Sequence, residues 1–460
     1  NGPCLVVGDI NGDALEDIIV GSTHKFPPIL LLQQKDGSFI QNALFTMPNE
    51  MQFEEEAIEL FDIDNDGDLD MYLVSGSNQF IEGGDNYRDR FYLNDGNGKF
   101  TEDKTRIPEI KTSGTVVKAM DFNADGYVDL FVGGRTPMGE YPMPEKSFLL
   151  MNENGTLKDV TDNIAAELRN VGMITDAVWS DYDADGQQDL IVVGELMPIT
   201  IFKNKNASFE KMENTGIENF MGWWESISAA DMDNDGDIDL VAGNLGRNNL
   251  FQSSAERPVT VFAKDFDQNG SIDPVTFAYF KDENGTFESF PVNFWGDINK
   301  QSTIFRSKFN YYREYAKATQ NTILSTSELE NALTLTGNYD NSSYIENLGN
   351  GSFKIHPLPI EAQLAPLNSL ILKDVDADGN LDILGVGNDF GNETFIGKYD
   401  ALNGLFLKGN GKGSFETISI KKSGLLAPKD AKSIAEVKCA TGGSYYFITQ
   451  NKEKLLVFKD

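Results

Sequence analysis

Short apolar runs recur along this chain in pairs. IIVG, MYLVSG, LFVGG, LIVVG, LVAGN and ILGVG each follow an acidic segment, and runs such as AIELF, TVVKAM, VTVFAK and SLILK precede one. Runs this short, rich in Val, Ile and Leu and bounded by turn formers, read as buried strands rather than helices. A second punctuation mark alternates with the first. KDGSF (35–39), GNGKF (96–100), ENGTL (153–157), KNASF (205–209), ENGTF (283–287), GNGSF (349–353) and GKGSF (411–415) read as hairpin tips, each with an aromatic or Leu on the return strand. The predicted unit is therefore strand, acidic loop, strand, strand, hairpin, strand. Repeated radially, such units are the blades of a β-propeller, so the fold class is all-β with four-stranded antiparallel blades.

The acidic segments share one nine-residue pattern. The copies are DINGDALED (9–17), DIDNDGDLD (62–70), DFNADGYVD (121–129), DYDADGQQD (181–189), DMDNDGDID (231–239), DFDQNGSID (265–273) and DVDADGNLD (374–382). Oxygen-bearing side chains stand at positions 1, 3, 5 and 9: Asp9, Asn11, Asp13 and Asp17; Asp62, Asp64, Asp66 and Asp70; Asp121, Asn123, Asp125 and Asp129; Asp181, Asp183, Asp185 and Asp189; Asp231, Asp233, Asp235 and Asp239; Asp265, Asp267, Asn269 and Asp273; Asp374, Asp376, Asp378 and Asp382. Glycine fills position 6 in every copy but the first, where Ala14 stands.

Turn chemistry favours Asp and Asn but does not demand them at alternate positions. A hard cation does, because Ca²⁺ takes six to eight oxygens at about 2.3–2.6 Å and the chain must curl to converge them. The reading is up to seven structural Ca²⁺ ions, with the carbonyl of position 7 adding a ligand and Ala14 accepting either strain or a different turn. An EF-hand is excluded, since position 12 is Val20, Leu73, Val132, Val192, Ala242, Thr276 or Gly385 instead of Glu, and strands flank the loop.

Loop starts are separated by 53, 59, 60, 50, 34 and 109 residues. The first four intervals set a blade; the 34-residue step suggests a blade that has lost a strand. The 109-residue step carries a charged and aromatic stretch at about 298–333, with Ser327-x-x-Glu330 as a capping box, and reads as a helical insertion inside one blade. Residues 432–459 supply three more strands without an acidic loop. Eight blades in a single domain over 1–460 is the favoured count, with seven the alternative.

The chain has 460 residues, 38 Lys+Arg against 72 Asp+Glu and a formal net charge of -34. This excludes nucleic-acid binding through a basic surface. With 40% hydrophobic residues the acidity does not signal disorder. The loops hold 28 of the 72 acidic residues, so seven divalent ions would bring the charge to -20. His24 and His356 show neither metal-ligand nor triad spacing, no catalytic residue is nominated, and repeated identical sites point to structural rather than catalytic ions. Cys4 and Cys439 are expected to be unpaired thiols. No apolar run is long enough for a transmembrane segment, and the opening NGPCLVVG lacks the charged and long apolar regions of a signal peptide. Trp223 and Trp224 read as a wedge between blades more readily than as an exposed sugar platform.

The DxDxDGxxD loops between strand pairs resemble the FG-GAP and VCBS repeats of integrin α-subunit propellers and cartilage-acidic-protein-like proteins. Residues 222–248, 361–370 and 397–415 and the FNYYREYAKAT stretch are similar to a bacterial branch of VCBS-repeat surface proteins. The resemblance implies that the loops join first and second strands on one face and bind Ca²⁺. It also implies an extracellular or outer-membrane-surface module that binds protein or glycan without catalysis, as part of a larger surface or transport assembly. A polysaccharide-active, lyase-like enzyme on the same scaffold is the rival expectation; it needs a base and a charge-neutralising group converging in a cleft.

Overall fold

The computed structural model describes residues 2–23, 26–44, 53–80 and 83–460; His24 lies outside them. Among the described residues the chain forms eight antiparallel sheets. Seven close a ring. Their innermost strands, Leu5–Gly8, Glu55–Phe61, Gly114–Met120, Met173–Ser180, Ser226–Ala230, Leu367–Lys373 and Ala431–Lys438, each pack on the next, and the last packs on the first. We number the blades one to seven in that order.

Each junction between blades has its own hydrophobic core, which is why the ring closes. Ile10, Ile19 and Leu30 of blade one meet Ile58, Met71 and Leu73 of blade two, while Ile18 and Val20 meet Val437 and Phe447 of blade seven. The second strands, such as Asp17–Val20, Asp129–Gly134 and Asp189–Met197, are buried from end to end. Flanked by strands within the blade and by blades on both faces, they have no solvent side, hence their continuous apolar sequence.

The eighth sheet corrects the favoured count, and seven is the number of blades in the ring. Blade five runs Ser226–Ala230, Asp239–Gly243, Ser343–Asn347 and Phe353–Pro357, and the extra sheet is inserted between its second and third strands. That sheet, in the order Phe287–Pro291, Asp273–Lys281, Val259–Lys264, Leu333–Gly337, carries the loop at 265–273. The 34-residue step is therefore not a blade short of a strand.

Five short helices between Trp295 and Leu329 cover the inserted sheet, with Ile298, Phe305 and Ile323 packing on Phe262, Val275 and Phe277. The capping box is two residues earlier than read from sequence. Ser325, not Ser327, is the N-cap of Thr326–Leu329, and the Glu328 carboxylate accepts the Ser325 N–H at 2.8 Å while Lys308 anchors it.

Trp224 is fully buried in the seam between blades four and five, and Trp223 packs with Leu196, Val261 and Leu335 where the inserted sheet meets blade four. Cys4 and Cys439 are both buried and free. Blade seven has three strands, Ala431–Lys438, Ser444–Gln450 and Leu456–Lys459.

Candidate metal centres and the axial mouth

All seven acidic loops join a first strand to a second, and position 9 is the first residue of the second strand in each. The six loops of the ring thus lie at one end of it. The curl is set by position 1. Its carboxylate accepts the backbone N–H of position 6 at 2.8 Å from Ala14, Gly67 and Gly270, at 2.9 Å from Gly126, Gly186 and Gly379, and at 3.1 Å from Gly236. Position 6 is left-handed throughout, with Ala14 at φ 66°. Position 4 is left-handed as well, which sequence reading missed: Gly12, Asn65, Ala124, Ala184, Asn234, Gln268 and Ala377.

Carboxylate oxygens converge within 4.8 Å in five sets: Asp62, Asp64 and Asp66; Asp181, Asp183 and Asp189; Asp231, Asp233 and Asp239; Asp265, Asp267 and Asp273; Asp374, Asp376 and Asp382. Asp70, Asp185, Asp235 and Asp378 stand outside these sets. In the loops at 9–17 and 121–129 position 3 is an amide, and Asn11 and Asn123 accept the N–H of Asp13 and Asp125 at 3.1 and 3.0 Å.

The residues fit a hard divalent ion. Buried carboxylate oxygens without a hydrogen-bond partner remain on Asp64, Asp183, Asp189, Asp231 and Asp233, aimed into loops whose donors are all oxygen. Burial, reinforced by neighbouring carboxylates, pushes Asp70, Asp129 and Asp189 up to about 7, and Asp17 and Asp239 up to about 6. Without a cation these groups hold a proton to higher pH than a free carboxyl does; a divalent ion would reverse that shift.

The loops are wired to the ring by a latch. In blades three to five the third strand ends in Asn152, Asn204 or Asn347, and in blade two Asn94 directly follows it; the backbone N–H of each reaches the position 9 carboxylate of its own blade at 2.7–2.9 Å. The side-chain amide then donates to a position 2 carbonyl of the preceding blade: Ile10, Ile63, Phe122 or Tyr182, at 2.7–2.8 Å. Gln33 does the same across the closing seam, donating to the Lys438 carbonyl at 3.0 Å. Blade six has Gly409 there, where a Cβ would meet the Leu381 carbonyl oxygen at 2.0 Å. The position 9 aspartates thus have a structural task of their own, and each oxygen keeps a further lone pair for a metal.

The other end of the ring carries a mixed cluster that sequence reading also missed. Arg135, just past the second strand of blade three, pairs with Glu195 near the end of the second strand of blade four. Glu225, immediately before blade five, has its carboxyl pushed up to about 7 by burial and the Glu195 charge. The positive charges of Arg135 and Lys432 work against that rise and the charge of Asp389 adds to it. Burial and Glu195 also raise the Tyr141 phenol. The available signal was positional, since Arg135 and Glu195 each lie six residues beyond the last Asp of their loops. His356 is remote from this cluster by its partners, bonding Glu346 at 2.8 Å and stacking on Tyr344. No described helix is long and apolar enough to cross a membrane.

The class defined by this ring and its loops is a β-propeller with potential metal-binding acidic turns. The family model for the FG-GAP-like repeat matches residues 9–73, 62–132 and 181–242, so the blades in these segments are FG-GAP-like repeats. No curated protein matches it in sequence. Among solved structures, an Agrocybe aegerita lectin that recognises non-reducing terminal N-acetylglucosamine is 15% identical, covering 90% of this chain and 79% of its own, with a TM-score of 0.47. The V. cholerae biofilm matrix protein Bap1 is 11% identical over 100% of this chain and 87% of its own, at a TM-score of 0.40. BBS1N, solved in complex with ARL6DN, is 10% identical over 100% and 92%, at 0.45.

Proposed function

We propose that the chain is a calcium-braced propeller that serves as a non-catalytic binding or scaffolding module for a protein or glycan at an extracellular or outer-membrane surface, within a larger surface or transport assembly. One observation carries this reading. The loops are near-identical, sit at the same place in six ring blades and in the inserted sheet, and in the ring share their carboxylates with the strand ladders and latches, so their ions would brace the scaffold. Asp9, Asp62, Asp121, Asp181, Asp231, Asp265 and Asp374 and their partners at positions 3, 5 and 9 would hold the ions. Millimolar extracellular calcium would fill such sites, and the net negative charge suits that setting.

The test is retention of surface proteins and of arrayed glycans by the immobilised chain, with calcium and with chelator. Calcium-dependent, saturable retention of a defined partner supports the reading; retention of none contradicts it.

A second reading is favoured by the axial cluster alone. Arg135, Tyr141, Glu195 and Glu225 bring a charge-neutralising group and a carboxyl that titrates near neutrality to one mouth, the elements of a polysaccharide-cleaving centre. New reducing ends or unsaturated products, lost in Glu225→Gln, would establish it over the first.

A further inference from the structure

In two loops a lysine of the chain's own bridges the carboxylates at positions 3 and 5. The residue preceding the latch position in the third strand is Leu32, Leu93, Met151 and Glu346 in blades one, two, three and five, but Lys203 in blade four and Lys408 in blade six. The Lys203 ammonium bonds the position 3 carboxylate, Asp183, and lies 3.1 Å from the position 5 carboxylate, Asp185. The Lys408 ammonium makes the same pair of contacts, to Asp376 and, at 2.8 Å, to Asp378. The two lysines are far apart in sequence and identical in register, so the arrangement belongs to the blade geometry.

The described contacts of two other loops differ. Arg106 reaches Asp64 at 3.1 Å but touches no second loop carboxylate, and the Gly155 carbonyl also holds it at 2.8 Å. In the 231–239 loop the donor is neutral, the Tyr344 hydroxyl at 3.2 Å from Asp233 and 3.0 Å from Asp239.

We propose that Lys203 and Lys408 are tethered competitors that weaken divalent-ion binding at the 181–189 and 374–382 loops, dividing the sites into a tight class and a weak pair. The inference rests on the calcium reading. In the 181–189 loop the ammonium takes Asp183 Oδ2 and Asp185 Oδ2, while Asp183 Oδ1 and Asp189 Oδ2 remain without partners. An ion can therefore still enter, but it must share carboxylates already bonded to a positive charge or displace that charge into water. Two cations a few ångströms apart on shared ligands repel each other even at high dielectric, by enough to lower affinity roughly tenfold. The same lysines brace the ion-free loops, since each neutralises part of a carboxylate cluster that otherwise repels itself.

The test is calcium titration of the metal-stripped full chain against a competing chromophoric chelator. Wild type is expected to show a tight class and a weak pair. Lys203→Met and Lys408→Met, which keep stem length and packing, should each convert one weak site into a tight one, a gain of roughly tenfold at that site. Each should also lower the melting temperature of the stripped protein while leaving the loaded protein unchanged. Lys203→Gln and Lys408→Gln provide independent versions, and Lys205→Met, which removes only the exposed pair with Glu210, should leave the isotherm as it was. Uniform affinities in wild type, or an isotherm unmoved in all four variants, would overturn the inference. No calcium uptake by wild type would instead overturn the calcium reading beneath it.

Discussion

Replacing Asn152 with alanine removes one latch without touching a loop carboxylate. The Asn152 amide donates to the Ile63 carbonyl of blade two at 2.8 Å and to the Val128 carbonyl of its own blade at 3.1 Å, and its Oδ1 accepts the Gly155 N–H at 2.8 Å. The side chain is almost fully buried, so water cannot replace it. Hydrogen bonds of this kind contribute about 1 kcal/mol each, and a buried carbonyl left without a donor costs a further 1–3 kcal/mol. The expected destabilisation of Asn152→Ala is about 3 kcal/mol, read from equilibrium urea unfolding in calcium. Asn152→Asp should be no better, because its carboxylate would face the Ile63 oxygen. A loss below about 0.5 kcal/mol in both variants would refute the view that these amides hold adjacent blades together.

Further outcomes follow from the loops. Ala14→Gly should stabilise the chain by about 1 kcal/mol, since φ 66° strains a residue with a Cβ; thermal unfolding reads this directly. Gly236→Ala should cost about as much by backbone strain alone, because its φ is 97° and no atom lies within 4 Å of the added Cβ. The raised carboxyls predict a pH dependence. In metal-stripped protein Asp70, Asp129 and Asp189 titrate near 7 when folded, above the unfolded value near 3.9. Their contribution is therefore complete at low pH and lost as pH rises through 7. With calcium the ionised form is the one held, so the gap in melting temperature between loaded and stripped protein should widen from pH 5 to pH 8; a constant gap would contradict this.

How far such a structure is legible in sequence depends on whether a feature is local. The loop is a local device. Position 1 curls the chain around positions 5 and 6, and the apolar runs that follow the loops carry no solvent face, so loops, strands and hairpin tips were all readable. The number of blades is not local. The unit at 259–281 has the same strand, loop and strand as a blade, and only the resumption of blade five at Ser343 shows that it stands outside the ring. The latch asparagines recur just before the hairpin tips, yet their role exists only across a seam, where Asn204 meets a carbonyl 82 residues away. The axial cluster joins Arg135 and Glu195 over 60 residues. The capping box slipped by two because Ser325-Thr326-Ser327-Glu328-Leu329-Glu330 offers two frames, and Lys308, in the turn after the helix Thr303–Arg306, selects the first.

The central proposal is that the acidic loops are filled with divalent ions that brace the ring. Metal analysis of the purified, undialysed chain, paired with thermal unfolding before and after chelation, tests this most directly. Several calcium ions per chain, up to seven, and a marked fall in melting temperature on chelation are predicted, each site at a hundredfold excess over its Kd contributing about 2.7 kcal/mol. A chain that carries no calcium, or one whose melting temperature is the same with chelator as without, would contradict it.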